Sequence, residues 1–241
     1  MKIRPAPLPG LFLIEPSVFA DERGFFMEVF RQDELHAGGI DVTFVQTNHS
    51  SSRPNVLRGL HFQYQPPLGK LIRVIHGRAF VVAVDIRKNS STLGQWFGLE
   101  LSYDNKIELW APAGFATGFC ALSEGADLEY HYTEIYNHDG EFNIIWHDPA
   151  IGIQWPVSDP LVSVRDREAM TLAAWLERPE SDTFRLPTIP KNKSLLGELW
   201  SFFKARRAWW LTPIILLLLL AGLLIVFGQS SALSPFIYAL F

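Results

Sequence analysis

A histidine and an arginine interrupt an apolar stretch at residues 57–63, LRGLHFQ. Burying an imidazole is unfavourable unless it has a partner. His61 is therefore either part of a functional site or a core histidine satisfied by a hydroxyl or carbonyl group. Simple strand alternation would place Arg58 and His61 on opposite faces. If both serve one site, Gly59 is expected to form a bulge that redirects one of the two side chains.

Two further polar side chains could act beside such a site. Along residues 127–132, polar or charged side chains alternate with apolar or aromatic ones. This alternation places Leu128, Tyr130 and Tyr132 on one face of a strand, which we expect to point inward. Tyr130 would then present a phenol to the interior, either for a structural hydrogen bond or as an acid. Lys70 precedes a long apolar run and is either a solvated cation at a strand edge or a site residue.

The elements that must position these residues are predominantly strands. From residue 10 to about 165, short β-branched and aromatic runs are separated by Gly, Asn, Asp and Pro, which indicates an all-β sandwich or barrel. The predicted strands are 71–86, broken by a hairpin turn at 76–78, and 95–103, 106–110, 127–133 and 143–146. Short helices are predicted at 31–37 and at 166–176, the second with Asp166 as its N-cap.

Composition and charge exclude several classes of protein. Hydrophobic residues make up 48% and charged residues 19% of the 241 residues, which excludes a disordered polyelectrolyte. Residues 1–190 carry 16 basic and 24 acidic groups, a net charge of −8, which argues against non-specific nucleic-acid binding. Cys120 is the single cysteine, as is common in a reducing compartment. The prolines near the N-terminus predict no cleaved export signal.

Seven short blocks between about residues 8 and 178 form a pattern: DERGFF (21–26), FVQTNHS (44–50), NVLRGLHFQ (55–63), GKL (69–71), VDIR (84–87), PAGFA (112–116) and AIGIQWP (150–156). In this order they resemble the dTDP-4-dehydrorhamnose 3,5-epimerase family, metal-free cupins that act on nucleotide-linked keto sugars. The resemblance implies a mainly β fold, a cupin-type jelly-roll β-barrel with a few short helices.

The same resemblance implies roles for individual residues. The implied catalytic residues are His61 as general base, Asp166 as its orienting carboxylate, Tyr130 as general acid on the opposite sugar face, and Lys70 as the cation beside the 4-keto oxygen. The implied substrate-binding residues are Arg23, Phe26, Glu28, Gln46, Asn48, Arg58, Thr117 and Glu141. Family members are dimers that exchange N-terminal strands, so Arg23 is expected to reach the neighbouring subunit's site.

These residue types suit the chemistry that the family performs. A hydrogen next to a ketone is removed at neutral pH when a base takes it and a cation stabilises the enolate, which matches His61 and Lys70. A carboxylate such as Asp166 fixes the tautomer of the imidazole. Inversion requires a proton from the other face, which a phenol such as Tyr130 can supply.

The expected activity is epimerisation at C3 and C5 of a dTDP-4-keto-6-deoxy sugar, giving dTDP-4-dehydrorhamnose for deoxysugar and cell-surface polysaccharide biosynthesis. Thr117 departs from the pattern, since the family usually has histidine after Gly-Phe-Ala. The alternatives are therefore a single-carbon epimerase or a 3,4-ketoisomerase on a related nucleotide sugar. A non-catalytic sugar-binding cupin in a membrane assembly is a third, disfavoured by the presence of both an acid and a base.

The sequence predicts neither a metal nor another cofactor. The metal pattern of cupins needs His-x-His and a further histidine after a Pro-x-Gly turn, and here Gln63 and Thr117 occupy two of those positions. One remaining histidine is a poor transition-metal site. The other histidines are scattered, and all except His49 are interpreted as surface or structural: His36, His76, His131, His138 and His147.

The C-terminal region differs from the rest of the chain. Residues 208–227, AWWLTPIILLLLLAGLLIVF, carry no charge and at ~1.5 Å per residue would span about 30 Å of hydrocarbon as a transmembrane helix. A linker is predicted at 179–193 and an amphipathic segment at 194–205, so the epimerase-like domain is 1–178 and the tail 194–241. The tail resembles small single-span bacterial membrane polypeptides of unknown function.

The cations flanking the apolar segment predict its orientation. Lys204, Arg206 and Arg207 precede it and no charge follows it, which favours a cytoplasmic catalytic domain on a single-pass membrane protein. A buried core helix is the alternative for residues 208–227. It is disfavoured because no amphipathic segment remains to cover a helix that is apolar on every side.

Overall fold

The computed structural model describes residues 1–186, apart from the side chains at 123 and 124. The chain divides into two units, Met1–Pro187 and Thr188–Phe241, and all described elements belong to the first. The predicted amphipathic segment at 194–205 and the predicted transmembrane helix at 208–227 lie outside the described residues. Among residues 1–186, no helix is both long enough and apolar enough to cross a membrane.

The described residues form twelve strands and a few short helices. The strands are β1 (Lys2–Pro5), β2 (Phe12–Glu15), β3 (Val18–Asp21), β4 (Gly24–Met27), β5 (Gln46–Ser52), β6 (Val56–Gln63), β7 (Lys70–Asp85), β8 (Trp96–Ser102), β9 (Glu108–Ala111), β10 (Phe115–Tyr132), β11 (Glu141–Asn143) and β12 (Leu161–Val162). The α-helices are α1 (Gln32–Ala37), α2 (Val164–Arg167) and α3 (Leu172–Glu177), with 3-10 helices at His138–Gly140 and Pro179–Phe184.

Two long antiparallel strands, β7 and β10, organise the main sheet because each changes neighbours along its length. The first part of β7 pairs with β9 and its second part with β8. Similarly, β10 pairs first with β6 and then with β5. The sheet therefore separates into a first layer, β1-β2-β9-β7-β10-β5, and a second layer, β8-β7-β10-β6-β11, with β12 parallel to β6.

The hydrophobic core lies between the inner faces of these two layers. Ile72, Val74 and Leu128 of the first layer pack in one cluster with Val81 and Phe119 of the second. Their removal from water is the main force that holds the layers together. The prediction of a mainly β fold with a few short helices is confirmed by this architecture.

Helices cover the outer faces of both layers. Leu35 of α1 packs against Leu71 on the first layer. Trp175 of α3 is fully buried against Phe62 on the second layer, with ring centroids 4.6 Å apart. Phe184 packs in the same cluster. The described part of the predicted linker, residues 179–186, thus includes a 3-10 helix that belongs to the domain.

The hairpin turn predicted at residues 76–78 is wrong. Strand β7 continues without interruption from Lys70 to Asp85. Gly77 adopts a positive φ of 71°, and it pairs with Ala126 where the register of β7 and β10 shifts. A glycine in this conformation produces a bulge, which bends the strand and carries it from one layer to the other without reversing it.

The helix predicted at 166–176 is two separate helices. Ser163 caps α2 by accepting from the Asp166 amide, and Thr171 caps α3 by accepting from the Ala174 amide. Met170, between the helices, forms a parallel bridge with Ile144. Asp166 is therefore not an N-cap. Its carboxylate makes tertiary contacts instead. The helix predicted at 31–37 corresponds to α1. The strands predicted at 95–103, 106–110 and 127–133 correspond to β8, β9 and the second half of β10, while the strand predicted at 143–146 overlaps β11 only at Asn143.

Candidate active site

A cavity of about 210 Å³ opens between the two layers. Strands β5, β6, β7, β10 and β11 all contribute to its wall. Its polar lining residues are Asn48, His49, Ser50, Arg58, His61, Lys70, Thr117, Tyr130, Tyr132 and Glu141. The structure thus brings together seven of the predicted site residues in one place, with Asp166 directly behind His61.

A bulge in β6 directs Arg58 and His61 into the same cavity. The pairing with β10 shifts register there, since Thr117 lies opposite His61 while Phe119 lies opposite Arg58. Gly59 has a φ of 128°, and a Cβ at this position would lie 2.5 Å from the Cα of Gly118. Only glycine fits both the conformation and the close approach. The prediction of a bulge at Gly59 is confirmed.

The imidazole of His61 is held by a buried carboxylate. Its Nε2 lies 2.5 Å from Oδ1 of Asp166, a residue that is only 3% exposed. Asn143 also donates to Oδ1 at 3.2 Å, and the Ser163 hydroxyl donates to Oδ2 at 3.0 Å. Burial by itself raises the pKa of Asp166, but the contacts with His61, Ser163 and the Gly59 amide outweigh it and lower that pKa. Asp166 therefore remains a carboxylate that fixes the ring.

Lys70 reaches across the cavity from the first layer to the second. It is 8% exposed, and its Nζ donates to the His61 carbonyl oxygen and to Thr117 Oγ1, each at 3.1 Å. Burial lowers the pKa of Lys70 to about 8, and the charge of Glu141 partly opposes this effect. The cavity therefore contains an ammonium group that can lose its proton slightly above neutral pH.

Tyr130 faces His61 from the other layer. It lies on β10 opposite Asn48 of β5, and its hydroxyl is 3.1 Å from Ser50 Oγ. Burial raises the pKa of the phenol, while the hydrogen bond with Ser50 lowers it to a smaller extent. Tyr130 is therefore a neutral proton donor at pH 7. The predicted inward direction of Leu128, Tyr130 and Tyr132 is confirmed.

Glu141 provides a negative charge at the rim near β6. It forms an ion pair with Arg165 at 2.6 Å and accepts a hydrogen bond from the Tyr136 hydroxyl at 3.0 Å. Burial raises the pKa of Glu141, but the imidazolium form of His61, the ammonium of Lys70 and the guanidinium of Arg165 outweigh it and lower that pKa. Arg165 and Tyr136 were missed by the sequence analysis. Only the position of Arg165 next to Asp166 hinted at a role.

Two other predicted residues differ in their relation to the cavity. Arg58 lines it, and its guanidinium donates to Ser52 Oγ at 3.0 Å. Gln46 is not among the lining residues. Its side chain donates to Asn48 Oδ1 at 2.9 Å and accepts from the Tyr136 amide, so within this chain it orients Asn48.

Three predicted binding residues, Arg23, Phe26 and Glu28, are not among those that line the cavity. Arg23 lies in the turn between β3 and β4, where its side chain is 85% exposed and pairs with Asp21. Phe26 on β4 is 71% exposed, and Glu28 follows that strand at the surface. The hairpin β3–β4 forms its own two-stranded sheet, so these residues have no contact with the cavity of their own chain.

Gln63 and Thr117, which occupy two metal-ligand positions of the cupin pattern, form hydrogen bonds with other groups of the protein. The Gln63 amide group donates to the Pro66 and Ile135 carbonyls and accepts from the Asn137 amide, while Thr117 contacts Lys70. Within residues 1–186, no group of three or more His, Cys, Asp or Glu side chains is arranged to hold a metal ion. Metal independence stays a prediction.

The arrangement contains the parts needed to move a proton next to a carbonyl group. An imidazole with its carboxylate stands on one layer, a neutral phenol stands on the other, and an ammonium lies between the layers. A base and an acid on opposite sides of one cavity can remove a proton from one face of a carbon and return one to the other. The ammonium can stabilise the oxygen that becomes negative.

Comparison with known families agrees with this geometry. Residues 5–174 match the family model described as dTDP-4-dehydrorhamnose 3,5-epimerase. The chain belongs to the dTDP-4-dehydrorhamnose 3,5-epimerase family. Residues 193–241 match a second model, a family of unknown function named DUF5989.

Individual epimerases of this family are closely similar. The dTDP-4-dehydrorhamnose 3,5-epimerase of Salmonella typhimurium is 51% identical over 168 residues, which are 68% of this chain and 92% of that protein. The one from Neisseria gonorrhoeae is 47% identical over 188 residues, 78% of this chain but 56% of its own length. The dTDP-6-deoxy-D-glucose-3,5-epimerase of Legionella pneumophila, solved with dTDP-4-keto-L-rhamnose, is 41% identical, has a TM-score of 0.71, and aligns with 80% of this chain and 99% of its own. The predicted cupin-like epimerase fold is thereby confirmed.

Proposed function

We propose that this protein is a dTDP-4-dehydrorhamnose 3,5-epimerase, an isomerase that converts dTDP-4-dehydro-6-deoxyglucose into dTDP-4-dehydrorhamnose. The observation that carries this proposal is the position of the His61–Asp166 pair and Tyr130 on facing layers, with Lys70 between them. A cavity that only binds a sugar has no need of a base and an acid on opposite sides.

His61 begins the reaction as the general base. It takes the proton from a carbon next to the C4 ketone, and the electron pair of the C–H bond moves to form the enolate at the C4 oxygen. Asp166, 2.5 Å from Nε2, stabilises the imidazolium that results. The opposite nitrogen of the ring, Nδ1, is then the atom that accepts the substrate proton.

Lys70 stabilises the enolate. Its ammonium uses two N–H groups on the His61 carbonyl and Thr117, which leaves the third for the substrate oxygen. A fixed positive charge in a site with little water stabilises a developing oxyanion strongly. Glu141 favours the charged form of Lys70 at neutral pH.

Tyr130 completes the inversion. Its phenol gives a proton to the face of the carbon opposite His61, and the phenolate and imidazolium then exchange protons with water. The same sequence at the second carbon gives the doubly inverted product. No step changes an oxidation state, so the reaction requires no redox cofactor.

Binding of the nucleotide diphosphate involves Arg58 and Asn48 of the same chain, with Gln46 in support. Arg23, Phe26 and Glu28 act on the site of a neighbouring subunit in a homodimer. The exposed hairpin supports this arrangement, because Phe19 and Phe26 present apolar side chains, 66% and 71% exposed, that a partner surface would bury.

The C-terminal tail anchors the enzyme to a membrane, with the catalytic domain in the cytoplasm. The uncharged stretch at 208–227 and the cations Lys204, Arg206 and Arg207 before it support this topology. The cytoplasmic side is also where a nucleotide-linked substrate is expected.

Proton NMR of the reaction with dTDP-4-dehydro-6-deoxyglucose tests the function. The expected product has inverted configuration at both C3 and C5. Inversion at one carbon only would favour a single-carbon epimerase, the alternative that Thr117 supports. A product in which the ketone has moved to C3 would identify a ketoisomerase, and unchanged substrate would contradict catalysis.

A further inference from the structure

Thr117 lies between the two strands that carry His61 and Lys70. It lies on β10 opposite His61 of β6 and opposite Ala83 of β7. The residue is 6% exposed. Its Oγ1 is 3.1 Å from Lys70 Nζ and 3.4 Å from the His61 carbonyl oxygen.

These contacts form a closed triangle, because Lys70 Nζ is also 3.1 Å from the His61 carbonyl oxygen. An ammonium has three N–H groups, and these two acceptors engage at most two of them. In residues 1–186, the hydrogen bonds of Nζ are those to Thr117 and to His61. At least one N–H is therefore left for a group that binds in the cavity.

The hydroxyl of Thr117 also affects the charge of the ammonium. Burial disfavours the charged form of a lysine, and an acceptor that contacts the ammonium favours it. The titratable and charged groups around Lys70 in the cavity are His61 with Asp166, Glu141 with Arg165, His49 with Asp127, Arg58, Tyr130 and Tyr132. Thr117 adds a neutral acceptor to this set, so it supports the ammonium without a further charge.

We infer that Thr117 is a positioning residue that holds the Lys70 ammonium against the substrate ketone, instead of serving mainly as a contact for sugar or phosphate. The inference rests on the proposed function. An imidazole at this position, once protonated, would repel an ammonium at this distance. The threonine hydroxyl stays neutral, so it accepts a hydrogen bond from the ammonium without repelling it.

The first test compares Thr117→Val with Thr117→Ser in the full-length protein. Valine keeps the shape but removes the acceptor, and we expect kcat to fall about tenfold while KM changes less than about twofold. The pKa of Lys70 should fall without its acceptor, so the alkaline limb of the pH profile should move to lower pH. Serine should restore kcat to within about threefold and should return the limb to its original position.

A double-mutant cycle shows whether Thr117 acts through Lys70. Lys70→Met removes the ammonium, and in that background Thr117→Val should have little further effect on kcat. An equal, independent loss in both backgrounds would overturn the inference. So would a Thr117→Val variant with raised KM but unchanged kcat and unchanged pH profile, because that pattern belongs to a substrate contact.

A measurement without substrate separates this inference from the proposed function. Competitive acetylation of Lys70, followed by mass spectrometry across pH, reports the fraction of free amine. The midpoint should lie at lower pH in Thr117→Val than in the native protein and in Thr117→Ser. Equal midpoints would overturn the inference even if the enzyme is active, and a shift would support it even if the substrate is a different one. If valine prevents folding, Thr117→Ala provides the same comparison.

Discussion

Replacing Asp166 with asparagine isolates the contribution of one buried charge to the reaction. The carboxylate lies 2.5 Å from His61 Nε2, and it accepts hydrogen bonds from the Asn143 amide group at 3.2 Å and from the Ser163 hydroxyl at 3.0 Å. Asparagine has nearly the same shape. Its oxygen can still accept from His61 and Asn143, and its amide can donate to the Ser163 hydroxyl. Asp166→Asn should therefore fold, and it should lose mainly the charge beside the imidazole.

The size of the effect follows from the type of hydrogen bond that is lost. A hydrogen bond to a charged group contributes about 1.5–3 kcal/mol, against about 1 kcal/mol for a neutral one. The difference is about 0.5–2 kcal/mol, so if it is felt only when the imidazolium forms, kcat should fall by about 2- to 30-fold. KM should change little, because Asp166 lies behind His61 and is not among the residues that line the cavity.

A buried aspartate elsewhere in the domain provides the matched control. Asp85 is fully buried and bonded to Arg87, Ser90 and Thr92, away from the cavity lining. Asp85→Asn should lower the thermal unfolding temperature but leave kcat within about twofold. The assay is initial-rate NMR of product formation. An Asp166→Asn variant that keeps more than half of the native kcat would refute the role given to the carboxylate.

Three further predictions concern the acid, the cation and the tail. Tyr130→Phe removes the proton donor but leaves His61 in place, so deuterium exchange from the His61 face should persist better than net inversion; equal loss of both would argue against a separate acid. Because Lys70 must stay protonated and its pKa is lowered to about 8, activity should decline above pH 8, and a profile that stays level to pH 10 would contradict this assignment. A chain that ends at Pro190 should be soluble, dimeric and active, while the full chain should sediment with membranes and resist carbonate extraction; recovery of the full chain in the soluble fraction without detergent would contradict anchoring.

Local sequence patterns were sufficient for much of the site. The alternation of residues 127–133 predicted the inward direction of Tyr130, because side chains on a strand alternate between faces. Gly59 predicted the bulge, because two polar residues three positions apart reach one cavity only when the strand is irregular between them. Both predictions depend only on residues a few positions apart in the chain, so they could be made from the sequence alone.

Features that depend on distant residues were not accessible in the same way. The local sequence pattern assigned Asp166 as a helix cap, since a carboxylate before a helical run often has that role, and only the family resemblance paired it with His61. Its actual partner, His61, is 105 residues away. Gly77 likewise favoured a turn, but pairing with β10 keeps the strand extended through a bulge. The pairing of Glu141 with Arg165 and Tyr136 also required the folded structure.

Deuterium incorporation tests the central claim, that His61 removes a proton next to the ketone, most directly. The native protein and His61→Ala are each incubated with dTDP-4-dehydro-6-deoxyglucose in deuterated water, and mass spectrometry and NMR count the deuterium atoms at C3 and C5. The native protein should introduce one deuterium at each carbon. The variant should exchange both about 10²- to 10⁴-fold more slowly, which is the usual effect of losing a general base. Native protein that produces inverted sugar without deuterium, or His61→Ala with near-native exchange, would contradict the mechanism.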